Sequence, residues 1–293
     1  MKIRAPAKIN LSLRVVGRRA DGYHLVDSIM VPVSLYDELD IRRVNLFGRA
    51  RAGPSLRVSC DHPLVPDGKK NLVYQAVSCL LQEAGVAQPL AVNIRKRIPV
   101  GAGLGGGSTD AAAALVGVNR LLKLRFSKNR LEKLGSSLGA DVPFFIRGRA
   151  VRARGIGDRL SPVKKIGPRW LVILYPGFPV STAWAYRNLR RNLTKYPANT
   201  SINSSITSAS KSAQLLINDL EAVVIKRYPR VGLLKDELIR GGADRAMMTG
   251  SGSAVFGVFR SRERAGKAYR SLCGKRKIQA FLARVVSSPN RLP

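Results

Sequence analysis

Apolar positions along this chain alternate between the spacing of strands and that of helices. Leu90, Val92 and Ile94 recur at every second position, which predicts a half-buried strand over residues 90–98. In residues 71–84 the apolar positions are four residues apart, as on the buried face of an amphipathic helix. Further strands are predicted at residues 2–16, 39–44, 170–176, 254–259 and 280–286, and further helices at residues 218–226 and 231–240. This mixture predicts an α+β fold.

Polar residues and glycines mark the ends of these elements. Ser127 is a typical N-cap for a helix that carries Leu131, Leu134 and Leu138 on one face, and Gly139 is expected to end it. Residues 192–212 are rich in Ser, Thr and Asn, which predicts a long mobile loop rather than a domain boundary.

A glycine-rich segment lies between the strand at 90–98 and a helix that begins with alanines. Five glycines occur within the seven residues 101–107. Glycine suits a loop whose backbone N–H groups approach a ligand closely. Because unpaired amides and the helix dipole point to the same place, the segment predicts an anion site, with a phosphate as the leading candidate.

The surrounding motifs narrow the kind of phosphate site. Gly101, Gly103 and Gly106 match G-x-G-x-x-G, but residues 121–126 hold no acidic residue for the ribose of a dinucleotide. The lysine of a P-loop is missing before Ser108, and the chain lacks the His-Arg-Asp and Asp-Phe-Gly motifs of protein kinases. A glycine-rich linker is the remaining alternative, which the ordered flanking elements disfavour.

The charge balance is strongly basic. The chain has 51 Lys and Arg residues against 18 Asp and Glu residues, a formal net charge of +33. Such a balance is typical of nucleic-acid-binding proteins. The basic segments at residues 147–165 and 260–293 lack interleaved aromatic residues, so we expect no specific nucleic acid partner. The field of a basic surface would also attract anionic nucleotides.

The spacing of the cysteines and the length of the apolar runs indicate the cellular compartment of the protein. Cys60, Cys79 and Cys273 are widely spaced and form neither a disulfide framework nor a zinc pattern. No apolar run reaches the ~20 residues that span a bilayer, and the N-terminus carries no export signal. We therefore expect a cytoplasmic protein without a membrane partner.

Four regions, in the same order along the chain, resemble the motifs of the GHMP kinases. Residues 99–109 resemble their phosphate loop, and residues 248–253 resemble their C-terminal motif. Residues 5–11 with 21–24, and residues 139–145, narrow the resemblance to the kinases of 4-diphosphocytidyl-2-C-methyl-D-erythritol. The resemblance implies a two-domain α+β GHMP kinase fold, with an ATP-binding domain at 1–160 and a second domain at 161–293. The active site is then expected in the cleft between the domains.

The same resemblance implies an activity. It is the ATP-dependent phosphorylation of the 2-hydroxyl of that cytidine-diphosphate-linked polyol, in isoprenoid precursor synthesis. ATP and Mg²⁺ are the implied cofactors, with no assignment of the protein ligands of the metal. The partner is then a small-molecule substrate, and the chain is expected as a monomer or homodimer.

The matched segments imply roles for three polar residues. Asp141 is implied as the general base, and Lys8 as the ammonium that keeps it ionised. From the residues alone, Asp141 also suits a helix N-cap and Lys8 a surface position on a strand edge. Asn10 lies on the same face of the strand as Lys8 and is expected to hydrogen-bond the same end of the substrate.

Two binding sites follow from the resemblance. On the donor side, the residues implied to contact ATP are Pro99, Gly101, Gly103, Leu104, Gly105, Gly106, Gly107, Ser108 and Thr109, together with Asn71, Leu72 and Lys96. On the acceptor side, Tyr23 and Tyr186 match positions that stack on cytosine, His24 reads its edge, and Thr182 lies near the sugar-phosphate part. Base stacking contributes about 1–3 kcal/mol but barely distinguishes bases, so His24 would supply the selectivity.

Two alternatives stay open at this point. One is another small-molecule GHMP kinase, of the homoserine or mevalonate type. The other is a basic RNA-binding protein that shares the fold, which would show a steep salt dependence of RNA binding and no ATP turnover.

Overall fold

A computed structural model describes residues 1–44, 56–163, 166, 169–189, 216–275 and 277–286. The predicted mobile loop at 192–212 lies outside the described residues. In the described part of the chain, no helix has the length and apolar character needed to cross a membrane.

The first sheet is built on a long antiparallel pair, β1 (Lys2–Arg18) and β2 (His24–Arg43). The other strands are β3 (Leu56–Cys60), β4 (Leu90–Arg95), β5 (Val151–Arg154), β6 (Arg159–Pro162) and β8 (Ile217–Asn218). The strand order is β3-β4-β2-β1-β8, and β5 joins β2 to β6. Among the described residues, β8 pairs with β1 only at Ser12 and Leu13, and the Lys8 backbone N–H instead donates to the Leu104 carbonyl oxygen at 3.0 Å. Lys8 therefore has a paired strand on one side only, but it is buried rather than at the surface.

The prediction for β2 was too short, because it covered only residues 39–44. Residues 28–33 of this strand are all buried. Met30 packs into the core beneath one face of the sheet, whereas Ile29 and Val31 pack into a second core on the other face. Burial on both faces removes the alternation of apolar and polar residues that marks a half-buried strand.

Helices cover one face of the first sheet. They are α1 (Leu72–Ala84), α2 (Gly106–Leu121), α3 (Lys128–Leu138) and α4 (Val142–Arg147), with a 3₁₀ turn at Gly68–Lys70 before α1. The predicted ends of α3 are confirmed: the Ser127 side chain accepts a hydrogen bond from the Arg130 N–H, and Gly139 is the C-cap. The predicted strand at 90–98 ends earlier, at Arg95, because the backbone N–H groups of Arg97 and Ile98 turn to a side chain.

The second sheet is antiparallel, in the order β11-β7-β10-β9. Its strands are β7 (Trp170–Tyr175), β9 (Arg245–Met248), β10 (Val255–Phe259) and β11 (Gln279–Arg284). The short helix α5 (Thr182–Arg187) follows β7. Helices α6 (Glu221–Arg227), α7 (Pro229–Arg240) and α8 (Arg262–Leu272) bury their apolar residues in a core on one face.

Five elements of this half differ from the prediction. Asn218 belongs to β8 rather than to a helix, and α6 begins only at Glu221. Helices α5 and α8 and strand β9 were not predicted. The buried face of α8 is narrow and made mostly of the small residues Ala265, Gly266 and Ala268, so basic residues dominate its sequence.

The two sheets share a core. Ile9 and Val31 of the first sheet pack in one cluster with Ile173 and Phe256 of the second. The predicted division after residue 160 falls within β6 and stays a prediction.

Candidate active site

A cleft of about 640 Å³ collects most of the residues singled out in the sequence. Those that line it are Lys8, Asn10, Asn71, Leu72, Lys96, Pro99, Gly101, Gly103, Gly105, Gly106, Gly107, Ser108, Asp141, Thr182 and Tyr186. Leu104 and Thr109 are buried beneath the loop, and their contact with a nucleotide stays a prediction. Ser251, from the predicted C-terminal motif, also borders the cleft, as do Ser28, Val65 and Gly157, which were not singled out.

The glycine loop leads into the N-terminus of α2. Gly101, Gly103 and Gly105 have φ of 67°, 77° and 73°, a conformation that L side chains rarely adopt. A Cβ on Gly103 would lie 2.2 Å from the Thr249 carbonyl oxygen, so the 249–252 turn packs directly on the loop. The arrangement leaves the first-turn amides of α2 beside the cleft, where they suit an anion.

Lys8 and Asp141 meet at the same cleft. Lys8 Nζ lies 3.6 Å from Asp141 Oδ2 and donates a 2.6 Å hydrogen bond to Asn10 Oδ1. The Lys8 side chain is 7% exposed and that of Asp141 is 33% exposed. Asp141 is the N-cap residue of α4, but its side chain makes no capping hydrogen bond. Its carboxylate therefore remains available to the cleft.

A buried ionic cluster lies beside the glycine-loop end of the cleft. Lys96 Nζ donates to Asp37 Oδ2 at 2.5 Å and to Asp110 Oδ2 at 2.7 Å. Asp37 Oδ1 also accepts from the backbone N–H groups of Arg97 and Ile98, at 2.6 and 2.8 Å. Asp37 thus anchors the chain just before the glycine loop. The sequence does not distinguish Asp37 from the nearby acidic residues Glu38 and Asp40.

The two carboxylates of this cluster differ in environment. Burial raises the pKa of Asp110 well above its usual value, although Lys96 opposes the shift. Burial acts to lower the pKa of Lys96, but the charges of Asp110 and Asp37 outweigh it and raise that pKa. Asp110 Oδ1 is buried with no hydrogen-bond partner among the described residues.

Of the ring side chains predicted to bind the base, Tyr186 lines the cleft and His24 does not. The His24 ring stacks on the Tyr186 ring, with centroids 5.1 Å apart and an interplanar angle of 30°. Burial, with the negative charges of Asp141 and Asp219, raises the pKa of Tyr186 to about 12. Tyr23 is 62% exposed and does not line the cleft, so its stacking on a base stays a prediction. Thr182 Oγ1 lies 2.8 Å from Ser251 Oγ.

Two asparagines hold the loops around the cleft. The Asn71 side chain donates to the Pro66 carbonyl and accepts from the Val73 N–H, so its amide is engaged within the protein. Asn218 Nδ2 donates to the carbonyl oxygens of Met248 and Gly250, which fixes the turn that packs on the glycine loop.

Comparisons with known proteins agree with this geometry. A family model described as "GHMP kinases N terminal domain" matches residues 71–149, and one described as "GHMP kinases C terminal" matches residues 201–277. A 4-diphosphocytidyl-2-C-methyl-D-erythritol kinase of Syntrophotalea carbinolica is 44% identical over 97% of this chain and 98% of its own. One of Citrifermentans bemidjiense is 43% identical over 98% and 99%. The chain belongs to the 4-diphosphocytidyl-2-C-methyl-D-erythritol kinase family of the GHMP kinases.

Solved structures of GHMP kinases share the fold. A crystal structure of a 4-(cytidine 5'-diphospho)-2C-methyl-D-erythritol kinase has a TM-score of 0.80 at 33% identity, covering 97% of this chain and 99% of its own. A homoserine kinase from Cytophaga hutchinsonii has a TM-score of 0.72 at 18% identity, covering 99% and 95%. The second likeness concerns the fold alone. The α+β GHMP kinase fold expected from the sequence is confirmed.

Proposed function

We propose that this chain transfers the γ-phosphoryl group of ATP to the 2-hydroxyl of 4-diphosphocytidyl-2-C-methyl-D-erythritol, in the non-mevalonate route to isoprenoid precursors. The observation that carries the proposal is the Lys8–Asp141 contact of 3.6 Å in a cleft that the glycine loop also lines. A base and an anion cradle in one cleft are the parts that phosphoryl transfer to a hydroxyl needs.

The donor side fits the phosphates of ATP. The loop at 101–108 offers backbone amides at the start of α2, and side chains at Gly101, Gly103 or Gly105 would collide with neighbouring residues. Val65, Pro66 and Leu72 provide an apolar wall for the nucleoside. This combination suits a nucleotide with its anionic end at the loop.

The cleft also fits a magnesium ion bound mainly through phosphate. The described residues contain no group of three or more His, Cys, Asp or Glu side chains that could hold a metal. Mg²⁺ in kinases usually takes only one or two protein ligands and completes its shell with phosphate oxygens and water. Ser108, at the start of α2, is the hydroxyl in the cleft that would hold it. The ion would neutralise charge on the phosphates.

On the side of the cleft that would bind the phosphoryl acceptor, Asp141 is the group that would take the proton. Asp141 is partly exposed and makes no capping hydrogen bond, so it can accept the proton of the substrate hydroxyl as that oxygen attacks phosphorus. The Lys8 ammonium beside it stabilises the ionised carboxylate and the developing charge on the attacking oxygen. Tyr186 lines the cleft and offers a ring on which the cytosine would stack, and His24, which packs on Tyr186, would read the edge of the base.

A coupled ADP-release assay with the cytidyl substrate tests the proposal. We expect Asp141→Asn to fold normally and to lose roughly 10²- to 10⁴-fold in kcat, the usual contribution of a general base. Asp244→Asn is the matched control, because Asp244 is 34% exposed and also pairs with a cation, Arg260, outside the cleft. Wild-type turnover by Asp141→Asn would remove Asp141 as the base.

A substrate panel separates the alternatives. Faster phosphorylation of homoserine or mevalonate than of the cytidyl compound would contradict the proposed specificity. Tight, steeply salt-dependent RNA binding without ATP turnover would favour the RNA-binding alternative instead.

A further inference from the structure

A chain of hydrogen bonds continues from Lys8 through Asn10 and Ser28, which also line the cleft. Lys8 Nζ donates to Asn10 Oδ1 at 2.6 Å, and Asn10 Nδ2 donates to Ser28 Oγ at 2.7 Å. Ser28 Oγ in turn donates to the Ser12 carbonyl oxygen at 2.5 Å. Lys8, Asn10 and Ser28 are 6%, 2% and 3% exposed, so water does not readily replace these partners.

The donors and acceptors in this series of hydrogen bonds allow one orientation of the Asn10 carboxamide. An ammonium can only donate, so the Asn10 carboxamide must present its oxygen to Lys8. Its NH₂ group then points to Ser28, which must accept. Ser28 can accept because its own proton is committed to the Ser12 carbonyl. Lys8 and Ser28 therefore favour the same orientation of the Asn10 carboxamide, and each holds one of its two ends.

We propose that Ser28 is a positioning residue for the reaction: through Asn10 it holds the Lys8 ammonium against Asp141. This inference rests on the proposed function, in which Lys8 and Asp141 act on the acceptor hydroxyl. It also assigns the Asn10 amide to the protein interior rather than to the substrate. The Asn10 backbone N–H is held as well, by a 3.0 Å hydrogen bond to Thr249 Oγ1.

Loss of the Ser28 hydroxyl has a directional consequence. The Asn10 NH₂ group would keep no acceptor at this buried position, and only the bond to Lys8 would still hold the carboxamide. The carboxamide is then free to rotate towards another acceptor, which displaces the oxygen that holds the Lys8 ammonium. Lys8 then moves off Asp141, and a misplacement of about 1 Å at a reacting centre costs up to roughly 10²-fold in rate.

Three variants test this with the full chain, ATP and the cytidyl substrate. Ser28→Ala is expected to lower kcat roughly 10- to 100-fold while the KM for ATP stays within about twofold. Ser28→Thr restores the hydroxyl, and Ser28 borders the cleft, which leaves room for the added methyl group. Ser12→Ala is the matched control, because the Ser12 hydroxyl is equally buried but only accepts from the Ile29 N–H, at 3.0 Å.

The outcomes divide cleanly. A low kcat in Ser28→Ala, with near wild-type kcat in Ser28→Thr and Ser12→Ala, supports the proposal. Wild-type kcat in Ser28→Ala, or an equal loss in Ser12→Ala, overturns it. If Ser28→Ala does not fold, Ser28→Cys replaces it, since a thiol keeps the volume but hydrogen-bonds weakly.

A crystal structure of Ser28→Ala provides a readout that needs no substrate. The distance from Lys8 Nζ to Asp141 Oδ2, 3.6 Å here, should lengthen in Ser28→Ala and not in Ser12→Ala. An unchanged distance in Ser28→Ala would contradict the positioning role. Absence of wild-type turnover of the cytidyl compound would instead contradict the proposed function, and the distance would still decide the role of Ser28.

Discussion

At the scale of single residues, the cluster around Lys96 contains two buried carboxylates that accept different numbers of hydrogen bonds. Both oxygens of Asp37 accept hydrogen bonds, from Lys96 and from two backbone N–H groups. Asp110 accepts only from Lys96, and its other oxygen has no partner in the described part of the protein. Asp37 is therefore expected to matter more for stability than Asp110.

We expect Asp37→Asn to lower the free energy of unfolding by about 3–5 kcal/mol, since it leaves a buried cation with one carboxylate fewer. Asp110→Asn should cost less, and its cost should fall as pH rises. The folded-state pKa of Asp110 is raised above 3.8, so its favourable contribution is present below the unfolded pKa and is lost as pH rises through the folded pKa. The Asp110→Asn protein has no carboxyl group to ionise at this position, so it does not lose this stability as pH rises. Urea unfolding at about pH 4.5 and about pH 8 measures both effects.

Equal costs for Asp37→Asn and Asp110→Asn at both pH values would contradict this assignment. Asp61→Asn is a control for backbone contacts alone, because Asp61 Oδ1 accepts from the Lys96 N–H at 2.8 Å in an exposed position.

At the scale of elements, the glycine loop between β4 and α2 is held by a turn from the other end of the chain. Gly103 packs against the 249–252 turn, and Asn218 holds that turn from β8. The loop's shape is thus decided by its packing partner as well as by its glycines.

Gly103→Ala is expected to destabilise the protein by at least about 2 kcal/mol, because it adds left-handed strain to a collision with the Thr249 carbonyl. Gly107→Ala is the contrast: a Cβ there meets nothing within 4 Å, and it lies in the first turn of α2. Thermal unfolding of the two variants makes the comparison. A Gly103→Ala protein as stable as Gly107→Ala would show that the loop does not depend on this contact.

Local patterns predicted some elements well and others poorly. Helix α3 has a Ser cap, a leucine face and a terminal glycine, all readable within the thirteen residues 127–139. Much of strand β2 is covered on both faces, and α8 buries mostly small residues, so neither shows the usual periodicity.

At the scale of the whole molecule, charge is the dominant feature. A net charge of +33 on a protein whose proposed substrates are all anionic creates an attractive field around the cleft. We expect this field to speed the encounter between the protein and its substrates and to leave the chemical step unchanged.

We expect kcat/KM for the anionic substrates to fall about 3- to 10-fold as ionic strength rises from about 0.02 to about 0.3 M, because salt screens the field. The kcat at saturating substrate should change little and serves as the internal control. A kcat/KM that is independent of salt would assign the basic surface no part in substrate capture.

The α+β class, most helix and strand positions, and the segments that form the cleft could be predicted from the amino-acid sequence alone. These depend on local properties: apolar period, capping residues and glycine tolerance. The hydrogen-bond partners of the buried polar side chains became visible only in the folded structure. Asp37 reaches Lys96 across 59 residues, Asn10 reaches Ser28 across 18, and the bulge between Asn10 and Ser12 sets which side chains face each other. Such pairings follow from strand register and sheet packing, which no local stretch of sequence encodes.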